Sequence, residues 1–243
     1  MSKSCIGIAV LVLAIVLSGA ALGRGGGGGH GGRRTRRRRR GHMSRLILVR
    51  HAEPSEDARG RCYGSLDVGL SDAGRAHAAQ LPAALAHLEY DAVYASPRMR
   101  ALQTAEPLGR RVIADDDLRE LDFGDFEGRR YEEIEASDPE LFRAWMETPT
   151  RVRFPGGESY ADLKARALRA LERIRASHDA ALVVTHGGVV RAAVAAWLEI
   201  PDEAIFRLDQ SYCGTTIVDW LDGTPIIRLL NYDFSAKSAA DGT

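Results

Sequence analysis

Three short apolar runs do most to limit what this chain can fold into. RLILVRH sets Leu46, Ile47, Leu48 and Val49 in succession, DAVYAS covers residues 91–96, and AALVVTH covers residues 180–186. Each has the length and aliphatic or β-branched content of a strand buried on both faces, and helical patterns flank each one. That alternation points to an α/β fold built on a largely parallel sheet. GTTIVDWL and TPIIRLLNYD, joined through Asp222-Gly223, read as a closing hairpin at the sheet edge.

Helices fit between the strands. Ser71 is placed to cap SDAGRAHAAQLPAALAHL, with Pro82 expected to kink it. Ser96-Pro97 reads as an N-cap followed by proline at the first helical position, opening RMRALQTAEPLGR. A longer helix is expected from about Ser159 to Ser177 and another from about Gly188 to Leu198. The acidic segment EEIEASDPELFRAWMET is read as a partly helical cover over a site.

The strands end in an unusual way. The first delivers Arg50 and His51, the second Ser96 with Arg98 and Arg100 just beyond, and the third Thr185, His186 and two glycines. Ligands of open α/β sheets bind at the carboxyl ends of strands. A fixed charge and an imidazole at the mouth of a core are costly without a partner, so the crevice is expected to hold an anion. Helix N-termini after Ser96 and Gly188 would add backbone N–H donors suited to an oxyanion. Arg98 reads as a solvated helix position.

Composition separates two unlike parts. Residues 1–43 carry nine of the 33 basic residues and no acidic one, which leaves 24 basic against 33 acidic for the remainder, a net charge of −9. The folded part should therefore not bind nucleic acid by general electrostatics, and an anion must be held by a few local arginines. Residues 1–43 are read as an apolar, Gly/Arg-rich extension before a domain at 44–243. Translation starting at Met43 would make the protein cytoplasmic. The alternative is export or membrane anchoring through residues 1–23, and the arginine block would attract any polyanion. Cys5, Cys62 and Cys213 are too scattered for a disulfide framework or a zinc site, and no metal or cofactor is expected.

In order and spacing, LVRHAE, GRCYGSLDVGLSDAG, YASPRMRALQTA, LRELDFGDFEG, FPGGES and VVTHGGVVR resemble the histidine phosphatase superfamily, also called phosphoglycerate mutase-like. The resemblance runs from Met43 to about Asn231. It implies a three-layer α/β/α sandwich with a mostly parallel central sheet, and metal-independent hydrolysis of a phosphomonoester through a phosphohistidine. Carried over by position, it makes His51 the nucleophile, Glu120 the proton donor and His186 the second histidine. Arg50, Arg100 and His186 become phosphate ligands, and Tyr63 and Gly64 substrate contacts. Ala52, Pro54 and Asp57 depart from the family's usual glycine, threonine or serine, and asparagine, which bears on local substrate contacts.

The residue types suit that chemistry. A neutral imidazole nitrogen attacks phosphorus in line, and positioned cations share the charge of the equatorial oxygens. Glu120 must hold a proton for the departing alkoxide and later accept one from water. A small phosphorylated metabolite is the expected partner, with α-ribazole 5′-phosphate the nearest candidate by motif. A second copy of the chain is another candidate partner, and a membrane is one only if residues 1–23 anchor the protein. Mutase-type transfer and a non-catalytic phospho-ligand module are the alternatives. Only 35 residues lie between Glu120 and Gly156, too few for the cover that a mutase uses to retain its substrate.

Overall fold

The computed structural model describes residues 43–234. The sequence readings that fall on residues 1–42 lie outside this range. Among the described residues, no helix is long and apolar enough to cross a membrane.

The first half contains β1 (Ser44–Arg50), α1 (Asp72–Ala78), α2 (Leu81–Ala84), β2 (Ala92–Ala95), α3 (Met99–Ala105) and β3 (Val112–Ala114). There follow α4 (Tyr131–Ser137), α5 (Pro139–Glu147), α6 (Tyr160–Ser177), β4 (Ala180–Thr185), α7 (Gly187–Trp197), β5 (Thr215–Leu221) and β6 (Thr224–Tyr232). The strands form one sheet in the order β3-β2-β4-β1-β5-β6. β1, β2, β3 and β4 run parallel, and β5 and β6 are the antiparallel hairpin expected at the edge.

Alternation along β1 shows why the sheet sits between two helical layers. Ile47 and Val49 face a core with Leu81 of α2, Leu85 just after it, and Ala101 and Ala105 of α3. Leu46 and Leu48 face the opposite core, with Leu171 and Ile174 of α6 and Val190 and Val194 of α7. All four strand residues are fully buried. Their unbroken apolar run is what a strand covered on both faces requires. The fold is the mixed, mostly parallel α/β/α arrangement that the sequence implied.

Several boundaries differ from expectation, each for a local reason. The predicted helix after Ser71 is two short ones: Ser71 Oγ accepts from Gly74 N–H as expected, and Pro82 falls in the first turn of α2 rather than kinking a continuous helix. Proline suits that position because its missing N–H would have no intrahelical partner. α3 begins at Met99, not after Ser96, with Arg98 at the N-cap in extended conformation. The side chain of Asp67 caps it from a distant loop, accepting from Met99 N–H at 2.7 Å. β3 was not read at all. It is three residues long with Ile113 and Ala114 exposed, and its backbone pairing with β2 defines it. No side-chain pattern accompanies that pairing.

The parallel register sets the ends of the central strands abreast. Arg50 pairs with Thr185, and pairing persists past the strands: His51 N–H donates to Thr185 O at 2.8 Å and Ser96 N–H to Val184 O at 2.9 Å. The sheet core therefore fixes where these polar residues emerge. Truncating Leu182→Ala, fully buried at the sheet centre, should cost about 2–5 kcal/mol. A urea unfolding curve measures that loss.

Candidate active site

Five charged or titratable side chains meet at the carboxyl edge of β1, β2 and β4. His51 follows β1 and is 2% exposed. Its Nδ1 lies 2.7 Å from Ala52 O. A carbonyl only accepts, so Nδ1 carries the hydrogen in the neutral ring and Nε2 keeps its lone pair. His186, fully buried at the N-cap of α7, packs edge-on to it with ring centroids 5.1 Å apart.

His186 is oriented by Ser96. Nε2 lies 2.7 Å from Ser96 Oγ, and the same oxygen accepts from Arg98 N–H at 3.3 Å. The other ring nitrogen, Nδ1, is buried without a protein partner. Ser96, read from sequence as a helix cap, serves the histidine instead.

Two guanidiniums flank the pair. Arg100 is completely buried; Nη1 donates to Leu66 O at 3.0 Å, and Nη2 to Tyr63 O at 3.0 Å and Gly64 O at 2.9 Å. Arg50 donates from Nη1 to Gln210 O and lies 4.2 Å over the ring of Tyr212. The Nε atoms of Arg50, Arg98 and Arg100 are all buried without a partner. Among the described residues, neither Arg50 nor Arg100 has a carboxylate within ion-pair distance. Arg98, read as a solvated position, is half-buried.

The electrostatics follow from this arrangement. Burial pushes the His51 pKa well below its ordinary value, and the charges of Arg100 and Arg50 lower it further. Burial does the same for His186, followed by Arg100, His51, Arg166 and Arg98. Both rings are therefore neutral near pH 7, the state in which an imidazole nitrogen is a nucleophile.

Glu120 arrives from a loop rather than a strand. Its Oε1 accepts from Leu121 N–H at 2.9 Å and its Oε2 from Gly188 N–H at 3.0 Å. Each oxygen keeps a second lone pair, so either can carry a proton. The N–H of Gly188, expected to face an oxyanion, is thus taken by Glu120. A Cβ on Gly188 would lie 2.2 Å from Glu120 Oε1, which explains the glycine.

Tyr63 and Gly64 share one loop but do different things. Burial, then the neighbouring Tyr212, raises the Tyr63 pKa. Tyr63 lines a cleft of about 280 Å³ with Glu53, Arg59, Arg61, Tyr131 and Tyr212. Gly64 sits behind Arg100: its carbonyl is an Arg100 acceptor, and a Cβ there would come within 1.7 Å of Leu121 O. In the predicted cover, Phe142 and Trp145 of α5 pack on the Phe126–Phe154 cluster, and the residue that borders the cleft is Tyr131, just before that segment.

Tyr212 and Arg191 were missed from sequence. Tyr212 lies in a loop without periodicity, and only the fold lays it over Arg50. Arg191 was within a quoted motif; it stands one helical turn past Gly187, and its Nε donates to Leu208 O at 2.8 Å. Burial, then Arg50, lowers its pKa. Among the described residues, no three His, Cys, Asp or Glu side chains gather to hold a metal.

Comparison with known proteins places this geometry. The family model described as histidine phosphatase superfamily (branch 1) matches residues 46–233. Phosphoserine phosphatase 1 of Hydrogenobacter thermophilus is 39% identical over 195 residues, covering 78% of this chain and 92% of that protein. The metal-independent phosphoserine phosphatase of Arabidopsis thaliana is 34% identical over 159 residues, 62% of this chain and 67% of its own. Among solved structures, the α-ribazole phosphatase of Shigella flexneri superposes with a TM-score of 0.71 at 26% identity, over 78% of this chain and 96% of its own.

The neutral histidines carry a stability prediction. Unfolded, each takes up a proton near pH 6.5; folded, it stays neutral to well below that. The unfolded state then binds more protons, so their contribution is complete above pH 6.5 and is lost as pH falls towards the folded values. Each should cost about 1.4 kcal/mol per pH unit across that window. Denaturant midpoints at pH 8 and 5.5 measure it, and His51→Gln should remove about half of the pair's slope. Separately, Gly188→Ala should displace Glu120 and lower phosphatase activity at least tenfold while the circular dichroism spectrum is kept.

Proposed function

Because the chain belongs to the histidine phosphatase superfamily and is a phosphatase, we propose that it hydrolyses a small phosphomonoester through a phosphohistidine on His51, without a metal. The observation that carries this reading is the set of buried guanidinium donors without a protein partner beside a neutral nucleophile, Nε of Arg50, Arg98 and Arg100, with the Nδ1 of His186 buried and equally unpartnered among them. A phosphoryl group supplies acceptor oxygens for these donors and negative charge for the unpaired guanidiniums.

In the first half-reaction, the lone pair of His51 Nε2 attacks phosphorus opposite the ester oxygen. The P–O bond breaks, its electrons stay on the leaving oxygen, and Glu120 gives that oxygen a proton. Arg50, Arg100 and His186 hold the three equatorial oxygens as charge redistributes. In the second, Glu120 takes a proton from water while the water oxygen attacks phosphorus, and the P–N bond returns its electrons to Nε2. Inorganic phosphate and the starting enzyme result. Ala52 O, holding Nδ1–H, keeps the reactive nitrogen aimed through both steps.

For the substrate, phosphoserine stands before α-ribazole 5′-phosphate. The cleft beside the histidines carries Arg59 and Arg61 together with Glu53 and Glu56, charges of both signs that suit a small zwitterion. The names of the relatives point the same way. α-Ribazole 5′-phosphate keeps a specific argument: Tyr63, Tyr131 and Tyr212 line the same cleft and offer ring faces to a base.

Phosphate release by the full chain in EDTA, against phosphoserine, α-ribazole 5′-phosphate, 3-phosphoglycerate and p-nitrophenyl phosphate, tests the proposal. Turnover should survive EDTA and fall at least about 10³-fold in His51→Ala. Acid-labile, alkali-stable radiolabel on quenched wild-type protein should mark the phosphohistidine. Interconversion of phosphoglycerates without phosphate release would favour a mutase. Ligand binding with no turnover would favour a binding module.

A further inference from the structure

One buried ion pair lies behind the acid rather than in the crevice. Arg166 of α6 is 6% exposed, two turns into a helix that Ser159 and Asp162 cap reciprocally. Its Nε donates to Glu158 Oε1 and its Nη2 to Glu158 Oε2, both at 2.7 Å. Nη2 also donates to Glu120 O at 2.8 Å, and Nη1 to Asp117 O at 3.0 Å and Arg119 O at 2.5 Å. All five guanidinium N–H groups are used. Glu158 Oε2 accepts in addition from Asp122 N–H at 3.1 Å.

The segment held in this way is the one that presents Glu120. It follows a single 3-10 turn at Asp116–Leu118 and has no strand or helix of its own. The carbonyls of Asp117, Arg119 and Glu120 find their acceptor role in one side chain. The charge of Arg166 is felt at His186, but its hydrogen bonds go to Glu158 and to the backbone of the segment that ends in Glu120.

We propose that the Arg166–Glu158 pair is the positioning device of the proton donor, setting where the Glu120 carboxyl meets the leaving oxygen. The proposal rests on the reading of Glu120 as that donor. Lysine at 166 keeps the charge but offers three donors from one atom, so it cannot hold three carbonyls and a carboxylate together. A displacement of about 1 Å at a reacting group costs roughly 10²-fold in rate. The loss should depend on the leaving group, because nitrophenolate departs without a proton whereas an alkoxide needs one.

The test compares kcat/KM on p-nitrophenyl phosphate with kcat/KM on phosphoserine and β-glycerophosphate, since this parameter reports only the steps through departure of the leaving group. Arg166→Lys should lower the alkyl-ester values about 10²-fold and the p-nitrophenyl value less than about fivefold. Glu158→Gln should show the same bias, about tenfold. In a Glu120→Gln background, Arg166→Lys should change the ratio between substrates by less than about twofold, as expected for residues acting in series. The ratio does not depend on how much of a variant is folded, so a loss of stability does not obscure it.

Equal losses on all three substrates in both variants would overturn the positioning role and leave a structural one. If Glu120→Gln itself showed no leaving-group bias, the assignment of Glu120 would fail first, and the positioning proposal with it. A bias in Glu120→Gln without one in Arg166→Lys or Glu158→Gln would reject the proposal alone.

Discussion

The structure depends on positive charge held at the mouth of the core, where among the described residues no carboxylate lies within ion-pair distance of Arg50 or Arg100. Arg100 is fully buried and satisfied only by the carbonyls of Tyr63, Gly64 and Leu66. Arg50 leans on a carbonyl and the face of Tyr212. Burying such charge is costly unless an anion compensates it. Burial keeps His51 and His186 neutral, and the same positive charge adds to its effect.

Loops carry the chemistry, and close approaches of backbone hold the loops. Gly64 brings its carbonyl to Arg100 while its α-carbon rests against Leu121 O, which joins the Tyr63 loop to the segment of Glu120. Gly188 lets the first turn of α7 come up against the Glu120 carboxylate. Opposite them, Cys213 N–H donates to Arg50 O at 3.1 Å and Asn231 Oδ1 accepts from Ser211 N–H at 2.7 Å, pinning the loop that lays Tyr212 over Arg50. A rigid scaffold of strands with functional groups on tethered loops is the usual division of labour in such folds.

What could be read in advance differed from element to element for physical reasons. β1 and β4 were legible because burial on both faces demands unbroken apolar runs, and α6 because a long amphipathic helix repeats its pattern over 18 residues. β3 was not, since three residues at an edge are defined by hydrogen bonds to β2 and leave no hydrophobic signature. Arg50, His51 and His186 stood out because polar groups there interrupt an apolar run. The role of Ser96 was misread: its rule-based place before a proline suggested a cap, whereas register with β4 brings its hydroxyl to a histidine 90 residues away. Tyr212 and Arg166 had no local signal, because their partners are distant in sequence.

The sequence by itself determined the α/β class, the largely parallel sheet and which strand ends bear cations and imidazoles, since hydrophobic periodicity and charge are properties of neighbouring residues. Only the tertiary structure decided which imidazole nitrogen is free, which donors lack partners, how Glu120 is held and what lines the cleft. Those depend on distances between groups far apart in the chain, which the parallel register of β1, β2 and β4 and the packing of α6 and α7 bring within a few ångströms of one another.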